Sequence, residues 1–275
     1  MKLASIAKQT VEILEAGQYR APSGALVQVG DMAEDAVEHT VLYPPGSLDD
    51  WQPQGRQGAP LRIEVTEETT AEAGRRLVEQ ERVPRVVALN FASAKNPGGG
   101  FLSGAKAQEE DLTRCSALYG CLIRQHAYYD ANRAHPSFLY TDHILYSPDV
   151  PFFRDDQLTL LEAPFPLSII TAPAPNAGEA LQRDAGAAPS IREALERRAA
   201  LVLAAAAKHD HRTLILGAWG CGVFRNDPRE VADIFGRLLA HPRFQGAFER
   251  VVFAIYDRSK DRATLRAFQE RFPAA

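Results

Sequence analysis

The sequence predicts an α/β fold in which a largely parallel β-sheet is covered on both faces by helices. From residue 61 onward, short apolar segments alternate with helical segments of ten or more residues, the pattern of strands and crossover helices. Glycine-rich segments follow two of the apolar segments, after Phe91 and after Leu216. Ligands bind beyond the carboxyl ends of the strands in such sheets, so these segments predict the position of the site.

The N-terminal part of the chain predicts one helix and a turn-rich region. Residues 2–16 are amphipathic, with one apolar stripe formed by Leu3, Ile6, Ala7, Val11 and Leu14. Short strands are expected at Ala25–Val29 and around Thr40–Tyr43. Residues 44–60 are rich in Pro, Gly and Gln and are expected to form an exposed loop.

The alternating region predicts the remaining strands and helices in order. Thr69 is expected to cap the first of these helices, because threonine favours that position. Strands are predicted at Arg62–Thr66, Val86–Phe91, His143–Tyr146, Leu167–Thr171, Thr213–Gly217 and Arg250–Tyr256. Helices are predicted at Thr69–Gln80, Gln108–Gln125, Ser190–His209, Pro228–His241 and Ser259–Phe272.

Composition indicates a globular protein that does not bind polyanions through a general positive field. The 275 residues are 45% hydrophobic and 24% charged, which supports a sizeable core. The formal net charge is −4, whereas proteins that grip nucleic acid by counterion release usually carry a basic excess. A sequence-specific nucleic-acid binder is therefore disfavoured. An anionic ligand is expected to be held by backbone donors in a shaped pocket.

Cysteine usage and hydropathy predict a cytoplasmic protein. Three cysteines without CxxC spacing do not indicate a disulfide framework, so a reducing compartment fits better. The N-terminus lacks the apolar run of a signal peptide, and no segment reaches the roughly 20 apolar residues of a membrane span. Cys115 and Cys121 are expected to be inert and buried. Cys221, which has no evident histidine partner, is expected to have a structural role.

Residues 90–111 (NFASAKNPGGGFLSGAKAQEED) form the first segment whose residue types suggest a binding or catalytic site. The glycines at 98–100 allow positive φ and a close approach of the backbone to a ligand. Seven residues later, Gln108, Glu109 and Glu110 open a helix. Acidic residues often start helices only because they complement the helix dipole, and a glycine run is often a plain turn. A strand, a glycine loop and an acid pair at one place are more specific than either feature alone.

Residues 216–227 (LGAWGCGVFRND) form the second segment. A glycine-rich turn between a strand and a helix is suited to hold a diphosphate, and Asp227-Pro228 is expected to start the helix. The segment lacks the Gly-Lys-Ser/Thr ending of a Walker A loop and the spacing of a dinucleotide-binding GxGxxG motif. By itself it is equally compatible with a structural turn.

GGG, a spacer of seven residues and QEE together resemble the signature of poly(ADP-ribose) glycohydrolases in their compact bacterial form. The GCGVF sequence resembles the diphosphate-binding loop of that family. The resemblance covers roughly residues 60–260 and implies a macrodomain, a three-layer α/β/α sandwich around a mixed, largely parallel sheet. It further implies a helical N-terminal extension over residues 1–60, packed on a catalytic domain over residues 61–275.

The resemblance also implies roles for particular residues. Glu110 corresponds to the catalytic carboxylate and Glu109 to its partner, which holds the distal ribose. Gln108 supports the acid pair, and Phe224 orients the distal ribose. Ser93 stands where the family often has Asn, a departure for which Asn90 or Asn96 would compensate. The further residues implied to contact substrate are Gly98, Gly99, Gly100, Gly220, Cys221, Gly222, Val223 and, for adenine, Tyr256.

The chemistry of glycoside hydrolysis predicts a division of labour between the two acids. Adjacent helical residues point about 100° apart and cannot flank one bond, so one acid must position the sugar while the other transfers protons. Glu110 is expected to protonate the leaving ribose oxygen and then to deprotonate water, with a pKa raised by substrate and by Glu109. No cofactor or metal is expected. The histidines, including His126, His135, His143 and the pair His209 and His211, are predicted to be surface or capping residues.

The predicted activity is release of ADP-ribose from poly(ADP-ribose) and ADP-ribosylated proteins, in a monomer that reverses modification in the DNA damage response. The alternatives are a non-catalytic ADP-ribose reader, which has no need of an intact QEE, and a mono-ADP-ribosyl hydrolase. A nucleotide phosphatase would require metal-binding carboxylates that the sequence lacks. Whether cleavage is terminal or internal depends on a loop, with residues 44–60 or 147–157 as candidates to wall off the distal ribose.

Overall fold

A seven-stranded sheet organises the protein, for which a computed structural model describes residues 2–52 and 60–273. The strands of this sheet, numbered after a small N-terminal hairpin of β1 (Gln18–Arg20) and β2 (Leu26–Gln28), are β3 (Val41–Tyr43), β4 (Arg62–Thr66), β5 (Val86–Phe91), β6 (Ile144–Arg154), β7 (Leu160–Ala172), β8 (Thr213–Leu216) and β9 (Arg250–Ala254). Their order is β3-β6-β7-β5-β8-β9-β4. Strands β7, β5, β8, β9 and β4 run parallel, while β6 is antiparallel to both β7 and β3. The mixed, largely parallel sheet is confirmed.

Helices cover both faces of the sheet and complete the three-layer sandwich. They are α1 (Leu3–Ala16), α2 (Gly30–Glu38), α3 (Thr70–Arg75), α4 (Gln108–Cys115), α5 (Leu118–Ile123), α6 (His126–Ala134), α7 (Ala177–Arg183), α8 (Ala188–Lys208), α9 (Pro228–Ala240) and α10 (Ala263–Arg271). Helix α3 continues as a π-helical turn over Arg76–Gln80. Thr69 caps α3, as predicted, because its side chain accepts from Glu72 N while Glu72 Oε2 accepts from Thr69 N.

Two separate apolar cores follow from the alternation of side chains along the buried strands. In β5, Val87 and Leu89 face a core shared with α8, α9 and α10. Val86 and Ala88 face the opposite core, which includes side chains from α1 through α6. A strand buried on both faces reads as a continuous apolar run, which is why VVALNF was recognisable in the sequence.

The N-terminal residues are joined closely to the rest of the molecule. Thr10 Oγ1 of α1 donates to Arg114 O at 2.8 Å, which ties α1 to α4. Strand β3 pairs with β6 at the edge of the main sheet. The residues before position 60, which were expected to form an extension, therefore also supply β3, one strand of the main sheet.

The helix predicted over Gln108–Gln125 is wrong as a single element. Ser116 is extended (φ −145°, ψ −179°) and forms an isolated antiparallel bridge with Phe152, so the segment divides into α4 and α5. The Ser116 hydroxyl donates to Leu112 O at 2.7 Å and accepts from Leu118 N at 3.2 Å. Side-chain bonding of this kind competes with the helical ladder, and contact with a strand distant in sequence favours the break here.

The strands predicted at His143–Tyr146 and Leu167–Thr171 are parts of a long antiparallel pair, β6 and β7. Most of residues 147–157 lies in β6, so their prediction as a loop is wrong; prolines at 148 and 151 obscured the strand. Of the loop predicted over 44–60, the turns after Tyr43 are observed, whereas residues 53–59 lie outside the described residues. The last helix starts at Ala263 rather than at Ser259, and β1, α2, α6 and α7 were not predicted.

None of the helices within residues 2–52 and 60–273 has both the length and the apolar character required to cross a membrane.

Candidate active site

The two glycine-rich segments meet at one edge of the sheet, as the sequence predicted. Strands β5 and β8 are parallel neighbours, paired from Val86 with Thr213 to Ala88 with Ile215. The loops that follow Phe91 and Leu216 therefore leave the sheet side by side, at its carboxyl edge.

The glycine loop lies directly against both members of the acid pair. Gly98 and Gly99 have φ of +69° and +59°, in the left-handed region that favours glycine. A Cβ on Gly99 would collide with Glu110 Oε1 and would lie 3.2 Å from Glu109 Oε2. Although the two acids are adjacent on α4, their carboxylates therefore approach the same point of this loop. Gly100 N donates to Glu110 Oε1 at 2.9 Å, and the Glu110 side chain is half-buried.

Glu109 is the buried member of the pair. Its side chain accepts hydrogen bonds from Ser93 N at 2.7 Å and from Asn90 Nδ2 at 3.3 Å. Burial raises the pKa of Glu109 to about 8, and the charge of Glu110 contributes to the increase. The hydrogen bonds from Ser93 and Asn90 act in the opposite direction, because they favour the ionised form. Glu109 is therefore more readily protonated than an exposed glutamate.

Ser93 contributes its backbone to the acid pair and its side chain to the loop. Its hydroxyl oxygen accepts from Asn96 N at 3.1 Å, which stabilises the turn that leads to the glycines. The amide of Asn90, on the buried strand β5, is the one that reaches Glu109. Of the two asparagines expected to compensate for Ser93, Asn90 lies in the site, whereas Asn96 contributes backbone bonds within the loop.

Gln108 joins the start of α4 to the end of β5. Its Oε1 accepts from Phe91 N at 2.8 Å, and its Nε2 donates to Leu89 O at 2.7 Å. These are the backbone groups that a neighbouring strand would bond, so the amide takes the place of a strand where the pairing of β5 with β8 has ended. Because Glu109 and Glu110 follow directly, this clamp fixes the acids relative to the sheet.

The loop after β8 is folded tightly at its base. Gly220 has φ +72°, and a Cβ there would collide with the Asn226 amide and with Ala174. The buried Asn226 donates to Gly220 O at 3.0 Å and to Pro175 O at 2.9 Å. Asp227 then caps α9 by accepting from Arg229 N, and Pro228 is the first helical residue, as predicted.

The tip of the same loop presents backbone donors. Within the described part of the chain, no acceptor takes the backbone N–H of Gly220, Gly222, Val223 or Phe224. A Cβ on Gly222 would meet no atom within 4 Å, and Val223 is 81% exposed. Consecutive free N–H groups before a helix N-terminus can bind a diphosphate without any basic side chain. This agrees with the expectation drawn from the acidic net charge.

The two aromatic residues expected near the ligand lie at this edge of the sheet. Phe224 packs against Tyr140, with ring centroids 6.0 Å apart, and its carbonyl accepts from Gly178 N of α7. Tyr256 follows β9 and is 49% exposed, with the Arg258 guanidinium 4.6 Å from its ring centroid. Phe224 is half-buried and Tyr256 is exposed, so a ligand can reach both rings.

Sequence reasoning missed several residues of the site. Asn226 carries the base of the second loop, Tyr140 supports Phe224, and Tyr128 and Tyr129 are buried close enough for the charge of Glu109 to raise their pKa further. The signal for Asn226 was a polar residue immediately before the Asp227-Pro228 helix start. No local pattern marks the tyrosines, because they come from a helix that the sequence did not reveal.

The predicted burial of Cys115 and Cys121 is confirmed, whereas the prediction for one histidine is wrong. Cys115 and Cys121 are buried, and burial raises their thiol pKa values to about 12 and about 11. His209 caps α8, but His211 is only 2% exposed, so its prediction as a surface or capping residue is wrong. His211 bonds Tyr146 OH and Arg85 O, two partners from elements distant in sequence. In the ranges that the structure describes, no group of three or more His, Cys, Asp or Glu side chains is arranged to hold a metal ion.

The fold and these two loops define a class, the α/β/α sandwiches that carry an acid pair beneath a triple-glycine loop. A family model described as the microbial-type PARG catalytic domain matches residues 7–155. A poly(ADP-ribose) glycohydrolase (PARG) structure from Thermomonospora curvata is 48% identical over 98% of this chain and 99% of that chain, with a TM-score of 0.94. This chain therefore belongs to the microbial-type poly(ADP-ribose) glycohydrolase family.

Related structures carry ligands. The T. curvata protein bound to the inhibitor ADP-HPD is 48% identical over 98% of this chain and 99% of that chain, with a TM-score of 0.92. The Deinococcus radiodurans PARG in complex with ADP-ribose is 47% identical over 87% of this chain and 96% of that chain, with a TM-score of 0.81. A search among curated proteins found no significant match.

Proposed function

We propose that this protein hydrolyses the ribose–ribose O-glycosidic bonds of poly(ADP-ribose) and releases ADP-ribose. The observation that carries the proposal is the convergence of the Glu109 and Glu110 carboxylates on Gly99, at the sheet edge where the second loop presents free N–H donors. The first feature is suited to glycoside chemistry and the second to a diphosphate. The related proteins that bind ADP-ribose or ADP-HPD are glycohydrolases of the same family.

Glu110 acts as general acid and then as general base. It protonates the ribose oxygen that leaves when the glycosidic bond breaks, and afterwards removes a proton from the water that attacks the anomeric carbon. Its half-buried carboxylate, held by Gly100 N, leaves one oxygen for this task.

Glu109 positions the distal ribose. Because burial raises the pKa of Glu109 to about 8, this carboxyl can carry a proton and then donate to a ribose hydroxyl as well as accept from one. Fixed on β5 by Asn90 and on the loop by Ser93 N, it gives the sugar a rigid partner. This assignment keeps the division of labour expected from the sequence, with Gln108 as the support of both acids.

The remaining contacts come from the loops. The N–H groups of Gly220, Gly222 and Val223 bind the diphosphate. Cys221 lies between these donors and contacts the same group, although its own N–H donates to Ala218 O. Phe224 presses on the distal ribose. Gly98, Gly99 and Gly100 line the other side of the ribose and diphosphate. Tyr256 contacts adenine, for which its exposed ring is available.

The proposed function also has a biological setting. We place the protein in the cytoplasm as a monomer, acting on poly(ADP-ribose) and ADP-ribosylated proteins, including those modified in the DNA damage response. The three cysteines of the chain are free in the structure, which supports a reducing compartment. The N-terminal 60 residues are proposed to form an extension packed on the catalytic core, supported by the bond between Thr10 and Arg114.

Release of ADP-ribose from purified polymer tests the proposal, with wild type, Glu110→Gln and Glu34→Gln compared in the presence of a chelator. Glu34 is an exposed α2 residue and serves as the matched control. Wild type and Glu34→Gln should release ADP-ribose at the same rate, whereas Glu110→Gln should lose about 10²–10⁴-fold while still binding ADP-ribose. If all three proteins bind ADP-ribose and none releases it, the protein is a reader. Removal of single protein-linked units without polymer cleavage would instead indicate a mono-ADP-ribosyl hydrolase.

A further inference from the structure

Two cations, Lys95 and Arg183, share the ring of Phe138. The Arg183 guanidinium lies 4.4 Å and the Lys95 ammonium 5.9 Å from the ring centroid of the half-buried Phe138. Both cations are exposed, and within residues 2–52 and 60–273 neither forms an ion pair. Lys95, Phe138 and Arg183 are called the Phe138 patch below.

The Phe138 patch lies at the carboxyl edge of the sheet. Ser93 donates its N–H to Glu109, and Lys95 follows Ser93 by two residues. The Cα atoms of Lys95 and Ser93 are therefore within about 7 Å of each other. Phe138 O accepts from Asn176 N, the residue that caps α7, and Arg183 ends that helix. Helix α7 in turn contacts the second loop through Gly178 N and Phe224 O. The patch therefore adjoins the ribose site, with Lys95 in the first glycine-rich loop and Arg183 on a helix that contacts the second.

Arg133 and Arg198, two other cations in this region, have carboxylate partners, whereas Lys95 and Arg183 have none within the described residues. Arg133, which donates to Lys95 O, pairs with Asp130 at 3.0 Å, and Arg198 pairs with Asp142 at 2.9 Å. The carboxylate next to Arg183 in sequence, Asp184, accepts instead from Gly186 N. Two like charges brought to one ring repel each other unless an anion lies between them. In a protein with net charge −4, this is a local arrangement and not a general positive surface.

We propose that the Phe138 patch binds the diphosphate of the neighbouring ADP-ribose unit, the one that remains in the polymer after the cut. This inference rests on the proposed function and extends it from the cleaved unit to the polymer. Each unit carries a diphosphate, so a polymer held at its distal ribose necessarily brings a second anion near the site. Phe138 orders both cations before binding, which lowers the entropic cost of the contact. Free ADP-ribose has no second diphosphate and does not use the patch.

Binding measurements with two probes test this inference. Labelled poly(ADP-ribose) and ADP-ribose are titrated at several salt concentrations against protein carrying Glu110→Gln, which prevents hydrolysis. The patch variant adds Lys95→Gln and Arg183→Gln to this protein. The control pair adds Lys208→Gln and Arg82→Gln instead. Lys208 also lies over an aromatic ring, 5.2 Å from that of Tyr43, and both control residues precede strands at the opposite edge of the sheet. Phe138→Leu is a third variant, which keeps both charges but removes the ring.

The patch variant should bind polymer about tenfold more weakly, with ADP-ribose affinity unchanged. The slope of log affinity against log salt concentration should be smaller in magnitude by about 1.4, because each of two lost phosphate contacts contributes about 0.7 to that slope. Phe138→Leu should weaken polymer binding to a smaller extent, and the control pair should match the parent protein. Equal losses for polymer and ADP-ribose, or no loss for either, would overturn the inference alone. A parent protein that binds ADP-ribose but no polymer would overturn the proposed function together with it.

Discussion

The backbone of Gly99 and the carboxylate of Glu110 are in direct contact, and this contact leaves no space for a side chain on Gly99. The left-handed conformation of Gly99 brings the loop onto the acids, and the bond from Gly100 N fixes Glu110 in turn. The glycine run is therefore part of the geometry of the acid pair, in addition to any contact it makes with substrate.

Replacing Gly99 with Ala should abolish most of the activity. The added methyl group would displace the Glu110 carboxylate, and a positive φ is unfavourable for alanine by roughly 1–2 kcal/mol. We expect turnover to fall by at least about 100-fold, with a loss of stability near that strain energy. Steady-state kinetics and urea unfolding measure the two effects.

Gly120→Ala is the matched control for this change. Gly120 lies in α5, where a Cβ would be 3.4 Å from Val37 Cγ2, and alanine favours a helix over glycine by about 0.5–1 kcal/mol. This variant should be fully active. An active Gly99→Ala protein would show that the contact between Gly99 and Glu110 is not required.

Replacing Gln108 with Glu should destabilise the protein and impair catalysis together. The new carboxylate can still accept from Phe91 N, but its second oxygen would face the Leu89 carbonyl, to which Gln108 donates. Loss of a buried donor costs about 1–3 kcal/mol. Urea unfolding and ADP-ribose release should both report the change.

The control for the Gln108 change is Gln28→Glu, because Gln28 donates to Gln18 at 2.9 Å on the exposed β1–β2 hairpin. Its effect should stay within about 0.5 kcal/mol. Similar losses for the two variants would contradict the role of Gln108 as a clamp between β5 and α4.

Glu109 should make the free protein less stable as the pH rises. Its pKa is raised by burial from 4.5 to about 8, so between these values the folded protein holds a proton that the unfolded chain has released. The resulting stability is complete below about 4.5 and is lost as the pH rises through about 8, with a slope of at most about 1.4 kcal/mol per pH unit. The difference in unfolding free energy between wild type and Glu109→Gln, measured across this window, should follow that slope. Parallel curves for the two proteins would show that Glu109 is ionised in the folded state.

His209 should have the opposite effect at lower pH. Burial lowers its pKa from 6.5 to about 4, with the charges of His211, Lys208 and Arg85 contributing. The stability due to neutral His209 is present above about 6.5 and is lost as the pH falls through about 4. The His209 ring stacks on that of Tyr146, with centroids 3.6 Å apart. His209→Phe retains a ring for this stacking but cannot take up a proton. The variant should therefore lose less stability on acidification than wild type, while the exposed-site variant His126→Gln should behave like wild type.

The sequence by itself determined the α/β class, most of the buried strands and the location of the site. Apolar runs such as Val86–Phe91 are local signals, because a strand buried on both faces must be apolar along its whole length. The glycines and acids of residues 98–110 could also be recognised from the sequence alone, because their spacing is fixed by the order of residues along the chain.

Only the tertiary structure decided how these residues act on one another. The break at Ser116 depends on Phe152, and the burial of His211 depends on Tyr146 and Arg85, none of them near in sequence. The different surroundings of Glu109 and Glu110 likewise arise from Asn90 on β5 and from Ser93 and Gly100, which the loop after β5 folds back onto α4. Hydrogen bonds and desolvation depend on distances in space, and these are fixed only when the sheet and its two helical layers have packed.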